Sequence, residues 1–362
     1  KDCESLKTLN LSSFNTENVT DMDGMFSCCY SLEELNLSSF STGRVIGMGY
    51  LFAGCESLKA LDLSNFNTEN VTDMSYMFAD CYSLEELNIS SFNTANVTGM
   101  DNMFYKCLKL LSLDVSNFNT EKVTTMSSMF KDCESLKTLN ISSFNTENVT
   151  DMHSMFENCV CLKKLDLSSF STGNVVNMST MFSGCNKLDL SSFDTINVEL
   201  MDNMFRECGK LKCLDLSSFN TGDVVYMFSM FEGCISLESI NLSSFVTTKV
   251  KTMEAMFKDC KELTTLNLRN FKTDRLEEMS EIFSGCSKLT ILNLNNFNTA
   301  KAKYDSDVFK GCNALTTVRV GNRFSLDLER RLKKNIEGIK IIQCASLKRV
   351  KPRSFPKDYN IN

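Results

Sequence analysis

Phenylalanine recurs at positions 14, 40, 66, 92, 118, 144, 170, 193, 219, 245, 271 and 297, every step being 26 residues except the 23 from Phe170 to Phe193. A fixed period of this length is the signature of a solenoid, in which each repeat is one structural unit stacked on the next. A second Phe column runs from Phe26 to Phe309, and the two columns hold 24 of the 27 Phe. All 20 Met fall in two further columns headed by Met22 and Met25, and 13 of 17 Cys form another from Cys3 to Cys312. Apolar side chains confined to fixed phases must share one interior.

The unit reads C-x-x-L-x-x-L-[ND]-[LI]-S-x-F-x-T-x-x-V-x-x-M-x-x-M-F. Leu32, Leu35 and Leu37 carry the L-x-x-L-x-L spacing of a leucine-rich-repeat strand. Val19, Met22, Met25 and Phe26 are spaced by three and one, which predicts one face of a short helical or 3₁₀ turn. The fold class expected is therefore an α/β repeat: a leucine-rich-repeat-like solenoid with one parallel sheet face, one short strand and one short helical turn per coil. Twelve strands predict a continuous sheet on the order of 55–60 Å long. Residues 1–312 form the array. Residues 313–362 read as a cap, with a strand at Val318 and Val320, a basic amphipathic helix from Leu326 to Lys334 and a strand at Ile339–Ile342. Three residues, including one inward Leu, are missing after Cys185, which predicts a local kink. Lys1 begins inside a repeat, so more chain is expected before it.

Charge narrows the partners. Residues 319–362 carry 12 Lys+Arg against 4 Asp+Glu, and the remainder 26 against 41, a net −15. An array that acidic argues against nucleic acid, whose binding rests on neutralising phosphates, and is compatible with a basic protein. No apolar run reaches the roughly 18 residues of a membrane span.

The run Asn70–Thr94, NVTDMSYMFADCYSLEELNISSFNT, closely resembles the 26-residue repeat of BspA-like leucine-rich-repeat surface proteins. The resemblance covers residues 1 to about 320, and the exit Leu315-x-x-Val318-x-Val320-Gly321-Asn322-x-Phe324 is similar to the way such arrays end. Many family repeats carry Trp where this chain has Phe14 and its equivalents. The resemblance implies a bacterial, extracellular or cell-surface protein that adheres to host matrix proteins or to other cells, and it carries over no ligand-binding residues.

Catalysis is not expected. His153 is the single His, with no partner motif for a triad or a His-ligated metal, and the 15 Gly make no phosphate loop. Cys28-Cys29 and Cys159-x-Cys161 each contain a column residue, not a zinc pair. Stacked thiols have parallel Cβ vectors, so no disulfide is expected and the column reads as buried reduced Cys. The Asn/Asp column from Asn10 to Asn293 supplies one oxygen-bearing side chain per strand, which suits hydrogen-bonded ladders better than Ca²⁺. The Thr column, Thr16 to Thr299, reads as satisfying the backbone of a corner, not as an ice-binding row. No cofactor or metal is expected.

Information about a partner lies where repeats differ. Lys7, Glu33, Lys59, Glu85, Lys137 and the Lys163-Lys164 pair vary in charge along the strands and are expected to pair between neighbours. Tyr50 and Tyr76 share one outward phase in adjacent repeats and should stack; Tyr226 and Phe228 lie at outward phases of another. Exposed aromatics are enriched in protein hot spots. These four are the candidate binding residues, for a protein or glycan on host or neighbouring cells. The competing readings are a stalk that presents another domain and a glycan-binding module.

Overall fold

The structure is a computed structural model that describes residues 2–163 and 165–344. Lys1, Lys164 and the end of the cap, 345–362, lie outside the described residues. The chain winds into a parallel solenoid of short coils with little helix. The strands are β1 (Thr8–Leu9), β2 (Glu34–Leu35), β3 (Ala60–Asp62), β4 (Glu86–Asn88), β5 (Ser112–Asp114) and β6 (Thr138–Asn140). They continue as β7 (Cys213–Asp215), β8 (Ser239–Asn241), β9 (Thr265–Leu266), β10 (Ile291–Leu294), β11 (Thr317–Val320) and β12 (Lys340–Gln343), with α1 (Leu326–Asn335) before the last. Their central Leu points inward between exposed neighbours, as the side-chain alternation of a strand requires.

The expected continuous sheet is not what the strand side forms. Hydrogen-bonded strands come in pairs, β1–β2, β3–β4, β5–β6 and β7–β8, followed by the four-stranded β9–β10–β11–β12. Strands of two to four residues make few ladder bonds, so this side does not set the coil spacing. In two of the pairs a Lys coil is followed by a Glu coil and a salt bridge joins them, Lys7–Glu33 at 3.0 Å and Lys212–Glu238 at 3.2 Å.

The unbroken ladder runs along the opposite side. Bridges link Asp21, Gly47, Asp73, Gly99, Thr125, Asp151, Asn177, Leu200, Tyr226, Thr252, Glu278 and Tyr304 in one row. Alternate amides then bond across coils: Met22 to Gly47, Gly24 to Gly49, Phe26 to Leu51 and Cys28 to Ala53, at 2.7–3.0 Å. Here the predicted helical turn needs revision. Its three-residue-back bonds are made, for example Met25 N to Met22 O at 3.1 Å, but the turn does not propagate as helix. Residues such as Tyr50, Asp80, Tyr76 and Lys106 sit in the left-handed region at φ 56–58°, so the chain reverses twice per coil and gives its next amide to the neighbour.

The core is built from columns. Rings from Phe26 to Phe309 stack in an unbroken series of eleven contacts, with centroids 5.4–6.1 Å apart and planes within 18°. The other Phe column stacks more loosely, Phe118 to Phe144 at 6.4 Å and Phe144 to Phe170 at 6.5 Å. Phe14 is the exception, 53% exposed in the first coil.

The Cys column has a specific bonding role. From Cys55 to Cys312 each thiol donates to the carbonyl of a core Phe in the preceding coil, as Cys133 does to Phe104 O at 3.2 Å. Burial pushes Cys55, Cys133, Cys185 and Cys312 up to about 12, so the nucleophilic thiolate is suppressed. Cys161 and Cys213 are exposed. In the native protein a thiol alkylating reagent is therefore expected to modify Cys161 and Cys213 at least tenfold faster than the column. Peptide mapping by mass spectrometry checks this, and equal labelling of Cys133 and Cys213 would contradict it.

The Thr column also acts between coils. Each hydroxyl from Thr16 to Thr273 donates to the carbonyl and accepts the N–H of one residue in the next coil. Thr120 Oγ1 donates to Asn145 O at 2.7 Å and accepts from Asn145 N at 2.8 Å. The buried side chain thus substitutes for a peptide group in the ladder.

The shortened coil after Cys185 is absorbed on the strand side. Residues 186–190 form no strand, and Leu188 is only half-buried. On the opposite side Asn177 still bridges Leu200, and Phe182 still stacks on Phe205 at 6.1 Å.

Candidate interaction surface

The ladder side offers the features most unlike the repeat average. Tyr50 and Tyr76 occupy the left-handed position of adjacent coils, at φ 57° and 58°. Non-glycine residues adopt this conformation at a cost of order 1 kcal/mol, offset here because each Tyr amide bonds to the next coil, Tyr50 N to Ser75 O and Tyr76 N to Asp101 O, both at 2.9 Å. The conformation turns the side chains outward. Their rings stack with centroids 4.6 Å apart and planes 5° from parallel, and Tyr50 is 48% exposed. The next position of this column, before Tyr50, is Gly24, which has no side chain to cover the far ring face.

Carboxylates surround the pair. In the bridge row Asp and Gly alternate, Asp21, Gly47, Asp73, Gly99. Asp23 Oδ1 accepts the Gly49 N–H at 2.7 Å, and a Cβ on Gly47 would lie 2.7 Å from the same oxygen. Glycine is therefore what lets the carboxylate pack against the ladder. Asp101 Oδ1 accepts from Ser75 Oγ at 2.9 Å. Burial, opposed by the Gly49 bond and reinforced by Asp21 and Asp73, raises Asp23 above the usual carboxylate range. Burial, then the charges of Asp101 and Asp73, raises the Tyr50 phenol; burial, then Tyr50 and Asp101, raises that of Tyr76. In the Tyr76 coil the Tyr82 hydroxyl donates to Asp80 at 3.1 Å, and one coil further Lys106 Nζ lies 5.0 Å from the Tyr105 ring centroid.

Tyr226 and Phe228 do not join this cluster. Tyr226 is a member of the bridge row, 39% exposed, six bridges beyond Asp73, and Phe228 beside it is half-buried. The carboxylates and their glycine floor escaped the sequence reading, although the alternation of Asp and Gly in one column was a visible signal. Tyr304, 62% exposed near the far end of the row, escaped it too.

The Asn/Asp column of the strand side behaves locally. Asn88 Nδ2 donates to Asp62 at 2.9 Å and Asn241 to Asp215 at 2.9 Å, giving two cross-strand pairs. More commonly the side chain accepts the amide two residues on, as Asn10 does from Ser12 at 3.0 Å. Hydrogen bonds from Ser116 to Asp114 and from Ser217 to Asp215 hold those carboxyls below the usual range. Among the described residues no group of three His, Cys, Asp or Glu is placed to hold a metal ion, and no helix is long and apolar enough to cross a membrane.

His153 is half-buried, its Nδ1 2.9 Å from Asp151 Oδ1. That hydrogen bond, against burial, raises the imidazole above its ordinary value; burial alone would raise Asp151, but the bonds from His153 carry it lower. The folded-state value exceeds the unfolded one, so the stabilisation is complete below about pH 6.5 and is lost as pH rises through the folded value. An NMR titration of this single His should give a midpoint above 6.5, falling towards 6.5 in Asp151→Asn. A wild-type midpoint at or below 6.5 would show that the pair does not form.

Fold and surface together define a non-globular repeat protein with a satisfied interior and a variable exterior, the class of parallel, leucine-rich-repeat-like solenoids. More particularly, the chain belongs to the family described as Mycoplasma protein of unknown function, DUF285, whose pattern matches residues 1–112, 102–213, 185–289 and 241–324. No curated protein matches. Among solved structures, a chain of the crystal structure of a TLR13–ssRNA13 complex is similar at 16% identity and a TM-score of 0.25. That match covers 90% of this chain and 52% of the other, so the chain spans about half the length of that protein.

Proposed function

We propose that this chain is a non-catalytic recognition solenoid of a cell surface, which adheres to matrix proteins or other surface proteins of host or neighbouring cells. The observation that carries the reading is the outward Tyr50–Tyr76 stack, whereas the other ring stacks among the described residues join core Phe side chains. A rigid row of aromatic side chains presents contact area at little entropic loss on binding. The resemblance to BspA-like surface repeats supports the address and the adhesive role. Absence of catalysis is supported by the suppressed thiolates of the core.

Binding to an array of matrix proteins, cell-surface proteins and glycans tests the reading. Protein ligands should be retained by the native chain and weakened about tenfold by Tyr50→Ser combined with Tyr76→Ser. Surface exposure is checked by antibody binding to intact cells. Exposure without any array ligand would favour a stalk, to which the unbroken bridge row would give stiffness. Ligands confined to the glycans would favour the glycan-binding module.

A further inference from the structure

The carboxylates around the stacked tyrosines lie beside exposed rings and carry no paired cation among the described residues. Farther along, some charges on this side are matched, Lys131 with Glu157 at 2.7 Å, Arg206 with Glu232 at 3.3 Å and Lys258 with Glu281. Glu254 and Glu278 instead lie together, and burial, then the Glu278 charge, raises the Glu254 carboxyl. Among the described residues, Asp21, Asp23, Asp73 and Asp101 make no ion pair. They lie in three of four consecutive coils, at a spacing of about 4.8 Å per coil, and no three converge on one point. That arrangement suits an extended row of organic cations better than a single metal ion. Gly24 places no side chain over the outer face of the Tyr50 ring, and at Gly47 and Gly99 the space a Cβ would take is held by Asp23 and by Ser75 and Asp73. Each Tyr ring adds a quadrupole that attracts a cation over its face or edge. The contact exists one coil away within the chain itself, where Lys106 lies over Tyr105.

We propose that the Tyr50–Tyr76 stack with Asp23, Asp73 and Asp101 is a docking surface for a basic, extended peptide segment of a protein partner, its Arg or Lys side chains seated between carboxylates and rings. This deepens the recognition role proposed above and rests on it. Charge complementarity selects the occupant: uncompensated carboxylates repel an acidic segment or a nucleic acid, and a neutral glycan leaves them unmatched.

Octa-arginine, titrated against the full chain and followed by tyrosine fluorescence at low and physiological ionic strength, tests the inference. Binding should weaken about tenfold in Tyr50→Ser/Tyr76→Ser and by a similar factor in Asp73→Asn/Asp101→Asn. The Asn variants keep the oxygens that accept from Ser75, and circular dichroism verifies the fold of each variant. Glu85→Gln/Glu86→Gln, which removes the same charge from the strand side, should leave affinity unchanged. An equal loss in that control would reduce the effect to diffuse charge and overturn the proposal. So would binding insensitive to both the Tyr and the Asp pair, or preference for neutral maltoheptaose over octa-arginine. If those outcomes occur while an array partner still binds, the docking chemistry is wrong and the recognition role stands. If the Tyr pair alone fails to fold, the Asp pair decides the matter by itself.

Discussion

Phe130→Ala is expected to destabilise the solenoid by about 3–5 kcal/mol, the range for removing a fully buried ring from a packed core. Phe130 is fully buried, and its ring stacks on Phe104 at 5.6 Å and on Phe156 at 5.7 Å, so one substitution breaks two contacts of the column. Its carbonyl also accepts the Cys159 thiol at 3.1 Å, a bond that needs the backbone held where the ring now holds it. In a solenoid, stability is a sum of coil and neighbour terms, so the loss should separate the array into two units that unfold at different urea concentrations. Urea melts followed by circular dichroism report both effects. Phe14→Ala is the internal comparison, because that ring is half exposed and should cost under about 1 kcal/mol. A Phe130→Ala midpoint indistinguishable from wild type would mean that the stack is packing geometry without energetic weight.

Thr120→Val is the second large effect, expected to cost about 1–3 kcal/mol although it preserves volume. The change removes a hydroxyl that bonds both the N–H and the C=O of Asn145, leaving two backbone groups at a coil interface without partners. Thr120→Ser keeps both bonds and loses one methyl, worth about 0.8 kcal/mol. Valine should therefore be the worse substitution. If serine proves worse, the column is conserved in the repeat for its methyl and not for its hydroxyl.

These two columns show what a periodic sequence makes legible. The spacing of Phe, Met, Cys and Thr places each on the interior because phase alone decides which way a side chain points. It does not say what the side chain meets in the next coil. Thr120 was readable as satisfying a turning backbone, but its partner lies one coil on, 25 residues away. Likewise the Cys column was readable as buried thiol, while its bond to the preceding Phe carbonyl depends on a distance between coils.

The helical expectation went astray for a related reason. Val19, Met22, Met25 and Phe26 face inward at spacings shared by a helix and by consecutive tight turns. What separates the two is a left-handed residue between them, and here that position is often filled by residues such as Tyr50, Ser128 or Glu281, which carry no such signal. The stacking of Tyr50 on Tyr76 was legible, since residues of one phase in adjacent coils must be neighbours. The carboxylates beside them were not read, because their closeness to the rings depends on contacts between coils.

The shortened coil shows one more property of the architecture. Three residues are gone, yet the bridge from Asn177 to Leu200 and the stack of Phe182 on Phe205 persist. Because every interface repeats the same contacts, a whole coil could be duplicated or lost by recombination between near-identical gene segments, with each flanking coil still meeting a familiar neighbour. Array length is therefore free to drift among related chains, while the cross-section stays fixed. A change within the four coils from Asp21 to Asp101 would alter the surface proposed for docking.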